Sequence, residues 1–180
     1  MEIFALYMIN YQYLYKEEHV KKNNSKSIKY VGIDPGKGGG VATIYKNEVK
    51  VYKCPASVYD MAMMFALIMD ETPPSHMLVM IEKVWARPHD GRSSIFTFAQ
   101  NYGNWEGIIS SHEIQSHYVT PQKWMKAIGC PPKLKKQERK NYLKDLAKKK
   151  YPQLGKKIIL ATADAMLIAD YAKNYFDNAE

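Results

Sequence analysis

Three short β-rich runs, over residues 30–34, 40–46 and 48–54, follow one another with no helix between them, and only afterwards do strands alternate with helices. Runs joined by tight turns pair antiparallel, whereas strands separated by a helix can pair in parallel, so this order calls for one mixed sheet with helices packed on it. The first run is apolar through Tyr30-Val31-Gly32-Ile33 and is stopped by Pro35-Gly36; the second and third flank Lys46-Asn47, a hairpin connection. Ser57, with Asp60 three residues on, opens an apolar-periodic helix that runs to about Glu71 and is ended by Thr72-Pro73-Pro74. Residues 76–84 form the next strand. A polar loop over 86–91 leads into a serine-capped helix over about 94–110, and a fifth strand covers 113–119. Pro121 begins a short helix to 128, a lysine-rich helix spans 135–150, and an apolar helix over 161–176 closes the chain. Residues 1–28, rich in Tyr and Lys, read as an N-terminal appendage, leaving residues 29–180 as one domain.

The net charge of +8 is unevenly placed. Residues 131–157 carry eleven Lys or Arg against two acids, Glu138 and Asp145, while the rest of the chain holds fifteen basic against sixteen acidic groups. A single basic face follows, and a polyanion is the partner it suits. Lysine outnumbers arginine 23 to 3, which favours phosphate contacts independent of sequence over bidentate reading of bases. Cys54 and Cys130 lie far apart and match neither a disulfide framework nor a zinc site, so a reducing, intracellular setting, the cytoplasm of a bacterial or virus-infected cell, is expected. No apolar run has the length of a membrane span, and the patch over residues 3–9 lacks the basic region and cleavage site of a signal peptide.

Three carboxylates stand where apolar sequence makes them costly. Asp34 directly follows Tyr30-Val31-Gly32-Ile33 at the carboxyl end of a strand, and Glu82 ends the strand that contains Leu78-Val79-Met80-Ile81. Asp164 sits in the first turn of a helix otherwise built of Ala161, Ala163, Ala165, Met166, Leu167, Ile168 and Ala169. A charge in such surroundings must be hydrogen-bonded, paired or metal-bound. Each acid alone has an ordinary explanation, as a turn former, a strand end at the surface or a helix-start acid. Together they can converge at one sheet edge, where hard divalent cations take oxygen ligands.

These residues resemble those of the RuvC-type Holliday junction resolvases of the ribonuclease H-like superfamily, over about residues 29–173. Val31-Gly32-Ile33-Asp34-Pro35-Gly36, followed by glycines at 38 to 40, looks like the family's opening motif. Ile81-Glu82-Lys83-Val84-Trp85 is similar to its second motif, and Ala163-Asp164-Ala165-Met166-Leu167-Ile168-Ala169 to its closing helix. Arg87-Pro88, Ser93-Ser94-Ile95-Phe96-Thr97-Phe98 and Tyr102-Gly103 further resemble the phage and prophage branch. The resemblance implies a ribonuclease H-like α/β fold with a mixed five-stranded sheet flanked by helices, dependence on Mg²⁺ or Mn²⁺ with two ions per site, a homodimer, and paired nicks that resolve four-way DNA junctions. Asp34, Glu82 and Asp164 would then be metal ligands and catalytic residues. Trp85 matches an aromatic position that stacks on bases at the junction centre, a sequence-tolerant contact worth about 1–3 kcal/mol per base. Lys126 resembles a basic catalytic position near the scissile phosphate, as does one of Lys135 or Lys136. The DNA-binding set is Trp85, Arg87, Arg92, Lys126, Lys133, Lys135, Lys136, Arg139 and Lys140.

The pattern departs from the family at one place. Relatives carry a fourth acid or a histidine shortly before the last aspartate, where Ile158-Ile159-Leu160-Ala161-Thr162 offers neither. Asp170 is turned away from Asp164 by six helical positions, so two outcomes stay open: weaker metal binding or a lower rate, or a ligand shell completed from elsewhere, with His89 or Asp90 as the candidates. Two rival readings follow from this gap and from the general nature of the motifs: a catalytically inactive module that binds branched DNA, and a less selective flap or branched-DNA endonuclease. An actin-like nucleotide binder shares only the Asp-and-glycine opening, and no Walker-type phosphate loop is present in the sequence.

Overall fold

A computed structural model describes residues 27–70, 72–85 and 91–178. One sheet of five strands, in the order β3-β2-β1-β4-β5, forms the middle layer. β1 (Lys29–Asp34), β2 (Gly40–Tyr45) and β3 (Glu48–Lys53) make the expected antiparallel meander, with Tyr45 opposite Glu48 across the hairpin. β4 (Met77–Glu82) lies parallel to β1, and β5 (Gln115–Val119) parallel to β4. The helices are α1 (Val58–Met69), α2 (Arg92–Ser111), α3 (Pro121–Ala127), α4 (Lys136–Lys150) and α5 (Leu160–Asp177), with 3-10 turns at Pro74–His76 and Pro152–Lys157.

Strand alternation divides the core into two clusters, one on each side of the sheet. Val31, Ile33, Val41, Val79 and Ile81 face one way and pack against Met61, Phe65 and Ile68 of α1 and Trp105 and Ile109 of α2. Tyr30, Ala42, Ile44 and Met80 face the other way, against α5, with Trp124 of α3 and Leu143 and Ala147 of α4 outside it. The middle of α5 is therefore covered all round, which is why its sequence is apolar on every face between 165 and 169.

Gly32 sets how closely α5 lies on the sheet. A Cβ built there would fall 2.3 Å from the backbone nitrogen of Ala169 and 2.4 Å from the carbonyl oxygen of Ala165. At the start of β2, a Cβ on Gly40 would come 2.7 Å from the carbonyl oxygen of Ala161, so the first turn of the helix is equally close to the sheet.

Most element boundaries fall where local chemistry puts them. Ser57 caps α1 by accepting from the Asp60 backbone N–H, and Thr120 caps α3 ahead of Pro121. Lys46 and Glu113 adopt positive φ, of 54° and 55°, so β2 stops one residue before Lys46 and β5 begins only at Gln115. α1 ends at Met69 rather than near Glu71, because the Lys29 ammonium donates to the carbonyls of Ile68 (2.7 Å) and Asp70 (3.2 Å) where the helix stops. One boundary corrects the sequence reading. α2 is not serine-capped near Ser94; it starts at Arg92 behind an extended Gly91, and its exposed first turn has no side-chain cap. The loop over 86–90 and the appendage over 1–26 lie outside the described residues. No helix among the described residues is long and apolar enough to cross a membrane.

Because the atoms facing Gly32 are backbone, they cannot rotate away. Gly32→Ala is expected to cost about 3 kcal/mol or more, read as a lower urea midpoint with an unchanged m-value.

Candidate active site

The parallel register that sets Ile33 beside Ile81 makes Asp34 and Glu82 the next residues on two neighbouring strands. Both follow the parity of Tyr30 and Met80, so both side chains belong to the α5 side of the sheet. Asp34 pairs in turn with Gly40, the glycine against which Ala161 of α5 rests. Three residues on along that helix stands Asp164. The carboxyl ends of β1 and β4 and the amino end of α5 thus bring the three acids singled out in the sequence into one neighbourhood.

Their electrostatics reflect this crowding. Burial pushes the Asp34 carboxyl well above the usual carboxylate range; Glu82 and Asp164 push it further, and Lys140 opposes them. Glu82, only 9% exposed, is raised to about 7 by burial; a hydrogen bond from Trp124 and the charge of Arg139 counteract, while Asp164 adds to the rise. Asp164 is raised to about 6, again by burial, against the charges of Lys140 and Arg139. By surface area Asp34 and Asp164 are half-buried. Among the described residues neither the Asp34 nor the Asp164 carboxyl accepts a hydrogen bond or forms an ion pair. Two acids without a partner, beside a third held by a single indole N–H, are unfavourable for the fold.

Such an all-oxygen, desolvated and mutually repelling donor set fits a hard divalent cation, which would relieve the repulsion that burial creates. Among the described residues no three His, Cys, Asp or Glu side chains are drawn together into a ligating cluster. The acids lie within electrostatic reach of one another.

Asp170 is held elsewhere, paired with Lys150 and accepting from the Tyr151 hydroxyl at 2.6 Å. Of the basic residues picked from the sequence, Arg139 and Lys140 on α4 bear on the carboxyls, whereas Lys126 is exposed in the last turn of α3. Lys133 and Lys135 precede α4, Lys136 opens it, and Arg92 opens α2; all four are exposed. Trp85 is 60% exposed, which rules out a core role for it. It borders an open recess of about 670 Å³ lined also by Lys83, Val84, Tyr102, Glu106 and Tyr118, and none of the three acids lines it. Arg87, His89 and Asp90 lie outside the described residues.

Two buried side chains around the site escaped the sequence reading. Trp124, fully buried on α3, donates its indole N–H to Glu82 Oε1 at 2.7 Å. Asn101 of α2 accepts the Gly36 backbone N–H at 2.7 Å and donates to Cys54 Sγ at 3.3 Å, tying the turn that follows Asp34 to the far side of the sheet. The one available signal was a polar Asn within an otherwise inward-facing helix stripe with Trp105 and Ile108.

No family model matches the chain, and no curated protein sequence does. Solved structures do. The chain is similar to Thermus thermophilus RuvC in complex with a Holliday junction substrate, with a TM-score of 0.55 and 15% identity over 84% of this chain and 96% of that one. A further structure of Thermus thermophilus RuvC matches with a TM-score of 0.55 and 14% identity, over 84% and 97%. The Fowlpox virus resolvase, solved with Holliday junction DNA, is superposed at a TM-score of 0.45 with 13% identity, over 84% and 99%. At this identity the likeness to RuvC establishes the fold: the chain has the ribonuclease H-like architecture, a mixed five-stranded sheet flanked by helices.

The raised carboxyls have a consequence for stability. Glu82 keeps its proton in the folded protein up to about pH 7, whereas in the unfolded chain it loses it near the ordinary 4.5. Its contribution is therefore present below pH 4.5 and is lost as pH rises to about 7. Glu82→Gln, which still accepts from Trp124, is expected to stabilise the metal-free protein by about 1–3 kcal/mol at pH 8 and by nothing at pH 4, as measured by urea unfolding.

Proposed function

We propose that the protein is a metal-dependent endodeoxyribonuclease acting on branched DNA, with the four-way junction as its preferred substrate. The observation that carries this reading is the convergence of Asp34, Glu82 and Asp164 beside Arg139 and Lys140, near the amino end of α4, the most basic of the described helices. The RuvC structure that shares this fold was solved with such a junction. Divalent ions, Mg²⁺ or Mn²⁺ and two per site, held by the three acids would supply activation of water and stabilisation of the leaving oxygen.

The remaining work falls to the chain's own side chains. Arg139 and Lys140, close enough to be felt by the acids, neutralise the phosphate that approaches them. Lys133, Lys135 and Lys136 hold the flanking backbone, with Arg87, Arg92 and Lys126 at the margins. Trp85, exposed three residues beyond Glu82, offers its face to an unstacked base where the strands diverge.

Paired nicks require two such sites, and α2 supports a two-fold homodimer. Phe96 (70% exposed), Ala99, Gln100, Gly103, Gly107, Ser110 and Ser111 form one exposed face without a charge along the helix. Antiparallel packing about Gly103 sets the Phe96 of each copy against the small residues near Ser110 of the other, an arrangement that fits itself.

A second reading, binding without cleavage, is favoured by the absence of an acid or histidine at residues 158–162. Incubation with a labelled four-way junction separates the two: symmetric nicks that need Mg²⁺ or Mn²⁺ are expected, and binding without turnover in either ion would decide for the second. Three-way and linear substrates tell a junction enzyme from a less selective one. Asp34→Asn, Glu82→Gln and Asp164→Asn are each expected to lower nicking by about 10²-fold or more while junction binding persists in a mobility-shift assay. Gly103→Glu, placed where a Cβ meets nothing within 4 Å and helix propensity improves, is expected to leave the fold intact. In sedimentation it should yield monomers, and its nicks should no longer be paired.

A further inference from the structure

We infer that Trp124 is a positioning residue for Glu82, holding one carboxylate oxygen so that the other is presented to the divalent cation; this rests on the nuclease reading above. The indole Nε1 donates to Glu82 Oε1 at 2.7 Å, and both groups are buried. Glu82 Oε2 has no hydrogen-bond partner among the described residues. A glutamate side chain has three torsions to fix before it can act as a ligand, and fixing them at the moment of binding costs entropy. A hydrogen bond from a rigid ring meets part of that cost during folding, and it strengthens once the carboxylate is ionised.

Trp124 is itself held firmly. Thr120 accepts from the Lys123 backbone N–H at 3.3 Å, and the Trp124 backbone N–H donates to the Thr120 carbonyl at 3.2 Å, fixing the single turn from which the ring projects. The ring is embedded in the cluster that includes Met166, Leu167 and Leu143. The helix that carries Asp164 and the side chain that orients Glu82 are therefore packed in one apolar body. On the other partner, Lys83 donates its backbone N–H to the Val119 carbonyl at 2.7 Å and extends the sheet pairing past Glu82. Both ends of the hydrogen bond rest on fixed backbone. A buried indole needs an acceptor, but any carbonyl would serve; this one uses a carboxylate that would be a ligand.

If Trp124 only fills the core, phenylalanine should replace it without effect on cation binding. The test uses the full chain labelled with ¹⁵N, as wild type, Trp124→Phe and Glu82→Gln, titrated with Mg²⁺ and with Mn²⁺ by calorimetry and with Mg²⁺ by NMR. The expected result is a folded Trp124→Phe protein whose cation affinity is about 10- to 100-fold weaker than wild type. The indole N–H resonance of Trp124, recognised by its loss in Trp124→Phe, should move on saturation with Mg²⁺ in wild type and should stay unmoved by Mg²⁺ in Glu82→Gln. Should Trp124→Phe fold poorly, the resonance measured in the other two proteins decides alone. Wild-type affinity in a folded Trp124→Phe, or an indole resonance indifferent to Mg²⁺ in a wild type that binds the cation, overturns the positioning role and leaves the nuclease reading standing. A wild type that takes up neither cation removes the nuclease reading, and this inference with it.

Discussion

The contact between α5 and β1 at Gly32 is the interaction on which the site depends. Only a residue without a Cβ lets the backbone of Ala165 and Ala169 lie directly on a central strand. That approach sets the height of the helix above the sheet, and its first turn then reaches the end of β2 at Gly40. Asp164 is thereby carried to the edge where β1 and β4 finish. A helix held further out would take its carboxylate away from the other two and remove the repulsion they now share.

The three acids are a burden that the surrounding structure bears. Each has been desolvated, and two lack any partner among the described residues, so their raised proton affinities record work done against folding. The apolar layers on both sides of the sheet supply the stabilisation that offsets it. Sites that run against the local rules of burial in this way are where function is to be sought, because nothing in the economy of the fold calls for acids there. The neighbouring cations follow the same logic. Arg139 and Lys140 come close enough to moderate the repulsion, and among the described residues neither forms an ion pair.

The meander, the helix-strand alternation and the three costly acids were all legible before any coordinates. The apolar run that begins at Tyr30, the β-rich runs over 40–46 and 48–54 and the unbroken apolar sequence over residues 165–169 are local properties of the chain, and local properties can be read locally. Where expectation and structure parted, the deciding partner was distant or absent. α1 stops at Met69 because Lys29, some forty positions earlier, caps it. α2 begins at Arg92 because nothing there rewards a serine cap.

Residue identity alone determined that Asp34, Glu82 and Asp164 would be expensive to bury, that residues 131–157 would carry the positive charge, and that α5 would lie inside the molecule. It could not tell which side chains would meet the acids, since that depends on parallel register and on the distance between helix and sheet, which are set by packing across the whole domain. The tertiary structure alone chose Trp124 as the donor to Glu82, Asn101 as the clamp on the turn after Asp34, and Arg139 with Lys140 as the cations within reach. Hydrogen bonds and Coulomb forces act over a few ångströms, and separations of that size between residues 42 and 65 positions apart exist only once the chain has folded.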